Sequence, residues 1–149
     1  MSRDLAQLHD AIRPLAVQFL ADARDAGIDL IVTCTSRTLE EQTALYAQGR
    51  TLPGRIVTYA KAGESAHNYG LALDVVPVVN GKCDWNGQDL VWQQIGELGQ
   101  KRGLEWFGAP DSKFHELAHF QLHDWHDIEG QSVVVRRFTG FGVGDDSAR

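Results

Sequence analysis

The sequence predicts an α+β fold in which a small, mainly antiparallel sheet packs on helices. Three observations predict it. An amphipathic stretch opens the chain, two β-branched runs at 28–35 and 71–79 read as strands, and two further helix-like stretches are each closed by a glycine. With 149 residues, 43% of them hydrophobic, the chain is the size of one domain. A chain of that length buries roughly two-thirds of its unfolded surface without disulfide or metal staples. One domain is therefore expected over residues 1–137, with 138–149, rich in glycine and acid, as a flexible C-terminal tail.

Element by element, Leu5, Leu8, Ile12, Leu15, Phe19 and Leu20 recur at helical spacing between Asp4 and about Ala26, and Gly27 ends the stretch. Pro14 falls inside it, so either the first turns form a separate short helix or the helix kinks there. Ile28 to Thr35 reads as a buried strand, and Thr38 to Gln48, closed by Gly49, as a second helix. Residues 50–65 hold Pro53, Gly54 and Gly63 without a sustained period; they read as a long loop, of the kind that often carries substrate contacts. Leu71 to Val79 is the next strand, followed by turn signals at Asn80-Gly81 and Asn86-Gly87. Gln88 to Arg102 is a third helix stopped by Gly103, and Leu104 to Phe107 and His119 to Leu122 are short strands.

Composition excludes some functions. Fourteen Lys+Arg against 20 Asp+Glu leave a net charge of -6, the wrong sign for a protein whose main partner is nucleic acid. Cys34 and Cys83 match no disulfide or cysteine-metal pattern and read as buried small residues. The opening MSRDLAQLHDAIRPLAVQFL lacks the apolar core and cleavage site of a secretory signal. No stretch approaches the roughly 20 apolar residues of a membrane span.

Two motifs carry chemistry. In SAHNYGLALDVV, residues 65–76, His67 and Asp74 lie seven apart across a glycine. An odd offset in extended chain sets two side chains on opposite faces, so a turn at Tyr69-Gly70 is needed to make them converge. Imidazole and carboxylate are ordinary zinc ligands, although a capped turn beside a surface acid has the same pattern. In HELAHFQLHDWH, residues 115–126, four of the six histidines gather. Taken literally, His115-Glu116-Leu117-Ala118-His119 is H-E-x-x-H, a helix motif with both histidines on zinc and the glutamate as base. Against that zincin reading, His119-Phe120-Gln121-Leu122 alternates like a strand, and the 65–76 motif is left unexplained.

With both motifs in view, the sequence resembles the zinc peptidases that include D-Ala-D-Ala carboxypeptidases, vancomycin-resistance dipeptidases and phage L-alanyl-D-glutamate endolysins. The family pattern Ser-x-His-x-x-Gly-x-Ala-x-Asp is matched by Ser65, His67, Gly70, Ala72 and Asp74. An acidic residue three before a histidine is matched by Glu116 and His119, and an arginine in a Ser-Arg-Thr segment by Arg37, between Ser36 and Thr38. Many phage endolysins resemble Asp-x-Pro-His-Phe in the last motif, where this chain has Glu116-Leu117-Ala118-His119-Phe120. Glutamate there is similar to the carboxypeptidase and dipeptidase members.

The resemblance implies a Hedgehog/DD-peptidase-like fold with zinc at one end of the sheet, held by His67, Asp74 and His119. It implies Glu116 as the base that takes a proton from water and gives it to the leaving amine. Arg37 is implied as the group that stabilises an oxyanion or grips a substrate carboxylate. Ser65, Tyr59 and Trp106 are further candidates for substrate contact, while His115, His123 and His126 stay off the metal. The implied substrate is the peptidoglycan stem peptide, cut at L-Ala-D-Glu or, alternatively, at a D-Ala terminus. The implied setting is a phage or prophage endolysin, monomeric and free of stable membrane insertion. It would be made in the bacterial cytoplasm and act in the periplasm after release by a holin-like partner. A zinc-containing wall-binding module without turnover is a third reading, which the carboxylate at Glu116 opposes.

Overall fold

The computed structural model describes residues 1–135; the expected tail at 138–149 lies outside the described residues. Three helices, α1 (Arg13–Asp25), α2 (Leu39–Ala47) and α3 (Leu90–Lys101), accompany five strands. The strands are β1 (Asp29–Cys34), β2 (Ala72–Val79), β3 (Lys82–Cys83), β4 (Glu105–Trp106) and β5 (His119–Gln121). They form one sheet of order β1-β2-β5-β4, with β3 paired to β2 and every pairing antiparallel.

At Pro14 the first of the two expected outcomes holds. A separate 3-10 turn at Leu5–Gln7, capped by the Asp4 side chain, precedes α1, and Pro14 sits in the first turn of α1. A missing N–H costs nothing there, because the first helical donors have no intrahelical acceptor. Helix α2 begins at a full capping box: the Thr38 hydroxyl accepts from the Glu41 N–H, and the Glu41 carboxylate accepts from the Thr38 N–H. Asn80 and Gly81 both take positive φ, 53° and 77°, the requirement of the tight hairpin that joins β2 to β3. Cys83 lies exposed in β3, correcting the reading of both cysteines as buried; only Cys34 is, at 3% exposure.

Alternation along the strands divides the sheet into two faces. Phe120 of β5 points at the helices, with its ring 4.7 Å from Phe19 of α1 and against Gly99 of α3. A β-carbon at Gly96 would collide with Trp106, and one at Gly99 with Phe120. These two glycines let α3 approach β4 and β5 closely despite their poor helix propensity. Arg102 then ties α3 to α1 through a two-pronged pair with Asp22, at 2.6 and 2.8 Å. His119 and Gln121 flank Phe120 on β5 and so share the opposite face with Asp74, which lies across from His119.

Candidate functional site

His67 is placed by a short 3-10 helix, Ala66–Tyr69. Ser65 caps it, its hydroxyl accepting from the His67 N–H, while Asn68 reaches back to the Ser65 N–H. Gly70 closes it in the left-handed region at φ 67°. A β-carbon at Gly70 would lie 2.8 Å from the Gln7 carbonyl oxygen, so the position needs glycine twice over. The turn expected at Tyr69-Gly70 thus reverses the chain and lays the His67 imidazole over β2.

Asp74 is the centre of the site. Strand β2 runs between β1 and β5, and a register shift in β1 between Val32 and Cys34 sets Cys34 opposite Asp74, with His119 opposite on the other side. One carboxylate oxygen, Oδ1, lies 3.1 Å from His67 Nε2 and 3.0 Å from His119 Nδ1. Donors held at about 2.1 Å around a tetrahedral zinc stand about 3.4 Å from one another, so the two separations on Asp74 Oδ1 approach those of a ligand set.

The far nitrogens strengthen the fit. His67 Nδ1 faces the Thr35 carbonyl oxygen at 3.2 Å, and His119 Nε2 faces Gln121 Oε1 at 2.9 Å. Both partners are acceptors, so each outer nitrogen donates, and in the neutral rings both inner nitrogens present lone pairs to Asp74. Two lone pairs around an anionic oxygen repel unless positive charge sits among them. The electrostatics agree. Burial opposes charge on His67, but the Asp74 carboxylate outweighs it, with a smaller contribution from Cys34, and raises His67 to about 10. Burial likewise opposes ionisation of Asp74, and chiefly the charge of His67 outweighs it, holding the carboxyl well below its ordinary range. The centre therefore calls for a cation, which a proton on His67 or a metal ion can supply.

Among the described residues, the group whose ligand atoms all lie within 4.8 Å of one another is Cys34, His67 and Asp74. Cys34 Sγ, however, lies 3.5 Å from His67 Nδ1, on the ring edge already bonded to Thr35. The thiol is buried and does not line the cleft, whereas His67, Asp74 and His119 all open onto it. The set containing His119 is the one a substrate can reach.

That cleft, of about 890 Å³, is walled by the 57–60 segment, Trp85, Phe107 and side chains from the 114–119 turn and the segment after it. Arg37 and Glu116 line it together with the three converging side chains. The Arg37 guanidinium donates to Gln42 Oε1 at 2.9 Å and lies over Met1 Sδ and Cys34 Sγ. Gln42, fully buried, uses its other end to donate to the Ala60 carbonyl at 2.7 Å, tying the arginine and the 57–60 wall to α2. Glu116 is exposed on the turn that leads into β5, its carbonyl accepting from the His119 N–H.

Ser65 and Tyr59 also line the cleft, Ser65 as the cap described and Tyr59 at 82% exposure. Trp106 does not. Its ring is buried against Phe120, with its indole N–H on the Leu117 carbonyl at 2.8 Å, so the candidate substrate contact at Trp106 is corrected to core packing. The zincin reading fails on geometry. H-E-x-x-H needs a helix to bring its two histidines to one face, but here residues 116–119 form a turn into a strand, and His115 lies exposed on the cleft wall. His123 pairs instead with Glu105, at 3.3 Å, and His126 stacks on Trp125.

Sequence reasoning missed Thr35, Gln42, Glu105 and Gln121. Strand alternation from His119 was a signal for Gln121; the others depend on pairing and loop contacts that no spacing encodes.

Residues 5–127 match the family model VanY, described as D-alanyl-D-alanine carboxypeptidase. The peptidoglycan L-alanyl-D-glutamate endopeptidase CwlK of Bacillus subtilis is 36% identical over 126 residues, covering 78% of this chain and 74% of that protein. Among solved structures, the L-Ala D-Glu endopeptidase ChiX of Serratia marcescens superposes with a TM-score of 0.58 at 20% identity, over 79% of this chain and 82% of its own. VanYB in complex with D-alanine-D-alanine does so with a TM-score of 0.55 at 19% identity, over 77% and 71%. The chain belongs to the D-alanyl-D-alanine carboxypeptidase (VanY) family and is a peptidase.

Proposed function

We propose that the chain is a zinc-dependent endopeptidase cutting the L-Ala-D-Glu bond of the peptidoglycan stem peptide. The observation that carries the metal reading is the convergence of His67 Nε2 and His119 Nδ1 on one Asp74 oxygen, in a cleft that Glu116 and Arg37 share. The choice of bond is supported by the 36% identity to the CwlK endopeptidase. His67, Asp74 and His119 would hold the ion. When bound, zinc supplies Lewis acidity, acidifying water and polarising a carbonyl.

The chain's own residues do the rest. The Glu116 carboxylate takes a proton from the water that attacks the scissile carbonyl carbon, and the resulting acid gives it to the leaving amine nitrogen as the C–N bond breaks. Arg37, held by Gln42, offers a planar fork to the substrate carboxylate or to the developing oxyanion. Tyr59 and the 57–60 wall bound the cleft where the stem peptide would lie.

Digestion of purified sacculi by the zinc-loaded protein, with Glu116→Gln as control, tests the reading. New D-Glu amino termini among the muropeptides are expected. Free D-Ala instead would establish a D-Ala-D-Ala carboxypeptidase, the reading that the family description and the glutamate at position 116 favour. No Glu116-dependent product would leave a wall-binding module.

The setting belongs to the same proposal: a monomeric phage or prophage endolysin, made in the bacterial cytoplasm and released to the periplasm by a holin-like partner. Expression in a Gram-negative host should lyse cells only when a holin is co-expressed. Lysis without one would overturn the release step.

A further inference from the structure

We propose that Glu105 and Gln121 form a relay that fixes the tautomer of His119 and so sets how tightly the site holds a zinc-like divalent ion. The effect on metal rests on the metal-site reading above; the tautomer does not.

The relay is written into the sheet. His119 and Gln121 are two apart on β5 and share one face, and Glu105 of β4 is the direct cross-strand partner of Gln121. His119 and Gln121 are each 8% exposed. Glu105 Oε1 accepts from Gln121 Nε2 at 3.1 Å, Gln121 Oε1 accepts from His119 Nε2 at 2.9 Å, and His119 Nδ1 is left facing Asp74 at 3.0 Å.

The polarity of this chain can run only one way. A carboxylate has no donor, so Gln121 must turn its NH2 to Glu105. Its oxygen is then the only atom left for His119, and His119 must protonate Nε2. The lone pair falls on Nδ1, the nitrogen aimed at Asp74. Turning the Gln121 amide over would set its oxygen against the Glu105 carboxylate and its NH2 against the ring. Glu105 is therefore a positioning residue that acts two hydrogen bonds from the ion's place. Its second oxygen meets His123 Nδ1 at 3.3 Å, on a side chain 85% exposed.

The test uses two readouts on the full chain: zinc dissociation constants by chelator competition, and the protonated nitrogen of His119 by 15N NMR of metal-free protein at a pH where the ring is neutral. Gln121→Leu should weaken zinc by roughly 10–100-fold, the usual effect of losing such an outer partner, and should mix the two tautomers. Glu105→Gln should weaken zinc less, because an amide at 105 can face Gln121 either way. The double exchange Glu105→Gln with Gln121→Glu should recover most of the loss, since the new amide donates to the new carboxylate, which accepts from His119. A purely structural role would not recover on exchange.

The relay is overturned if wild-type His119 is protonated on Nδ1, if Gln121→Leu binds zinc as wild type does, or if the exchange is no better than the worse single variant. A wild-type chain that takes up no zinc while its tautomer follows Gln121 would instead uphold the relay and overturn the metal reading.

Discussion

At the scale of residues, Asp74 organises the chemistry, and a proton on His67 competes with a metal ion for the same role. His67 is raised from 6.5 to about 10 and Asp74 is depressed, so in metal-free protein both contribute stability, with opposite pH dependence. The His67 contribution is fully present below its unfolded value of 6.5 and is lost as pH rises through 10. The Asp74 contribution is present above its unfolded value of 3.8 and is lost as pH falls below it. Thermal melts of chelator-treated protein should therefore show stability declining above pH 6.5. Zinc must displace the His67 proton, so its affinity should rise with pH over the same window, with proton release measurable by calorimetry in buffers of different ionisation enthalpy. Substitutions separate the roles. His67→Ala, Asp74→Ala or His119→Ala should lose bound zinc, while Glu116→Gln keeps it and lowers kcat by roughly 10²–10⁴-fold. Arg37→Ala should keep zinc and lower kcat/KM by roughly 10–100-fold, the value of one charge-assisted hydrogen bond. Wild-type turnover in either variant removes that assignment.

At the scale of elements, the site is a product of strand pairing. Strand β2 supplies Asp74, β5 supplies His119 from the adjoining strand, and the Thr35 carbonyl, just past the end of β1, meets His67 Nδ1. Strand β5 is held from behind by α3, whose Gly99 leaves room for Phe120. Gly99→Ala gains helix propensity of about 1 kcal/mol but drives a methyl into the Phe120 ring, an overpacking cost of about 1–3 kcal/mol. A net loss of stability is expected in urea unfolding, accompanied by weaker zinc binding as β5 shifts. A Gly99→Ala protein more stable than wild type would show that the ring has room to move. Gly70→Ala should cost more, since it meets both a positive φ and the Gln7 carbonyl.

Across the whole molecule, one continuous core holds the sheet against α1 and α3, with Phe19, Trp92, Trp106 and Phe120 as its large members. The sheet buries one face on the helices and turns Asp74 and His119 to the cleft on the other, while Trp92 and Trp125 serve both the core and the cleft wall. Phe120→Ala should cost about 3–5 kcal/mol and disturb His119 beside it. If the ion binds the folded state alone, zinc at 100 times its dissociation constant adds about 2.7 kcal/mol. Chelation should then lower Tm in wild type and leave Tm unchanged in His119→Ala. Equal melting with and without chelator in wild type would argue against a bound ion.

The sequence by itself determined the fold class and, β3 apart, the order of the elements to within a few residues at their ends, while the set His67, Asp74 and His119 was implied by the family resemblance. The elements were legible because period, capping residues and glycine stops are local, whereas a histidine and an aspartate seven apart converge only if the chain turns between them, which their spacing alone does not decide. Pro14 was legible only as two alternatives, since whether a proline kinks a helix or begins one depends on where the preceding turn finds its cap. The tertiary structure alone decided the rest. It sent Trp106 into the core because Gly96 and Gly108 make a slot for its ring, and it left Cys83 exposed on a two-residue strand. It set H-E-x-x-H in a turn because β5 claims His119 for its pairing with Asp74. It also brought Glu105, Thr35 and Gln42 to the site from distant positions. Such contacts arise from strand register and loop closure, which are settled by the burial of the opposite face and leave no mark in the spacing of the residues themselves.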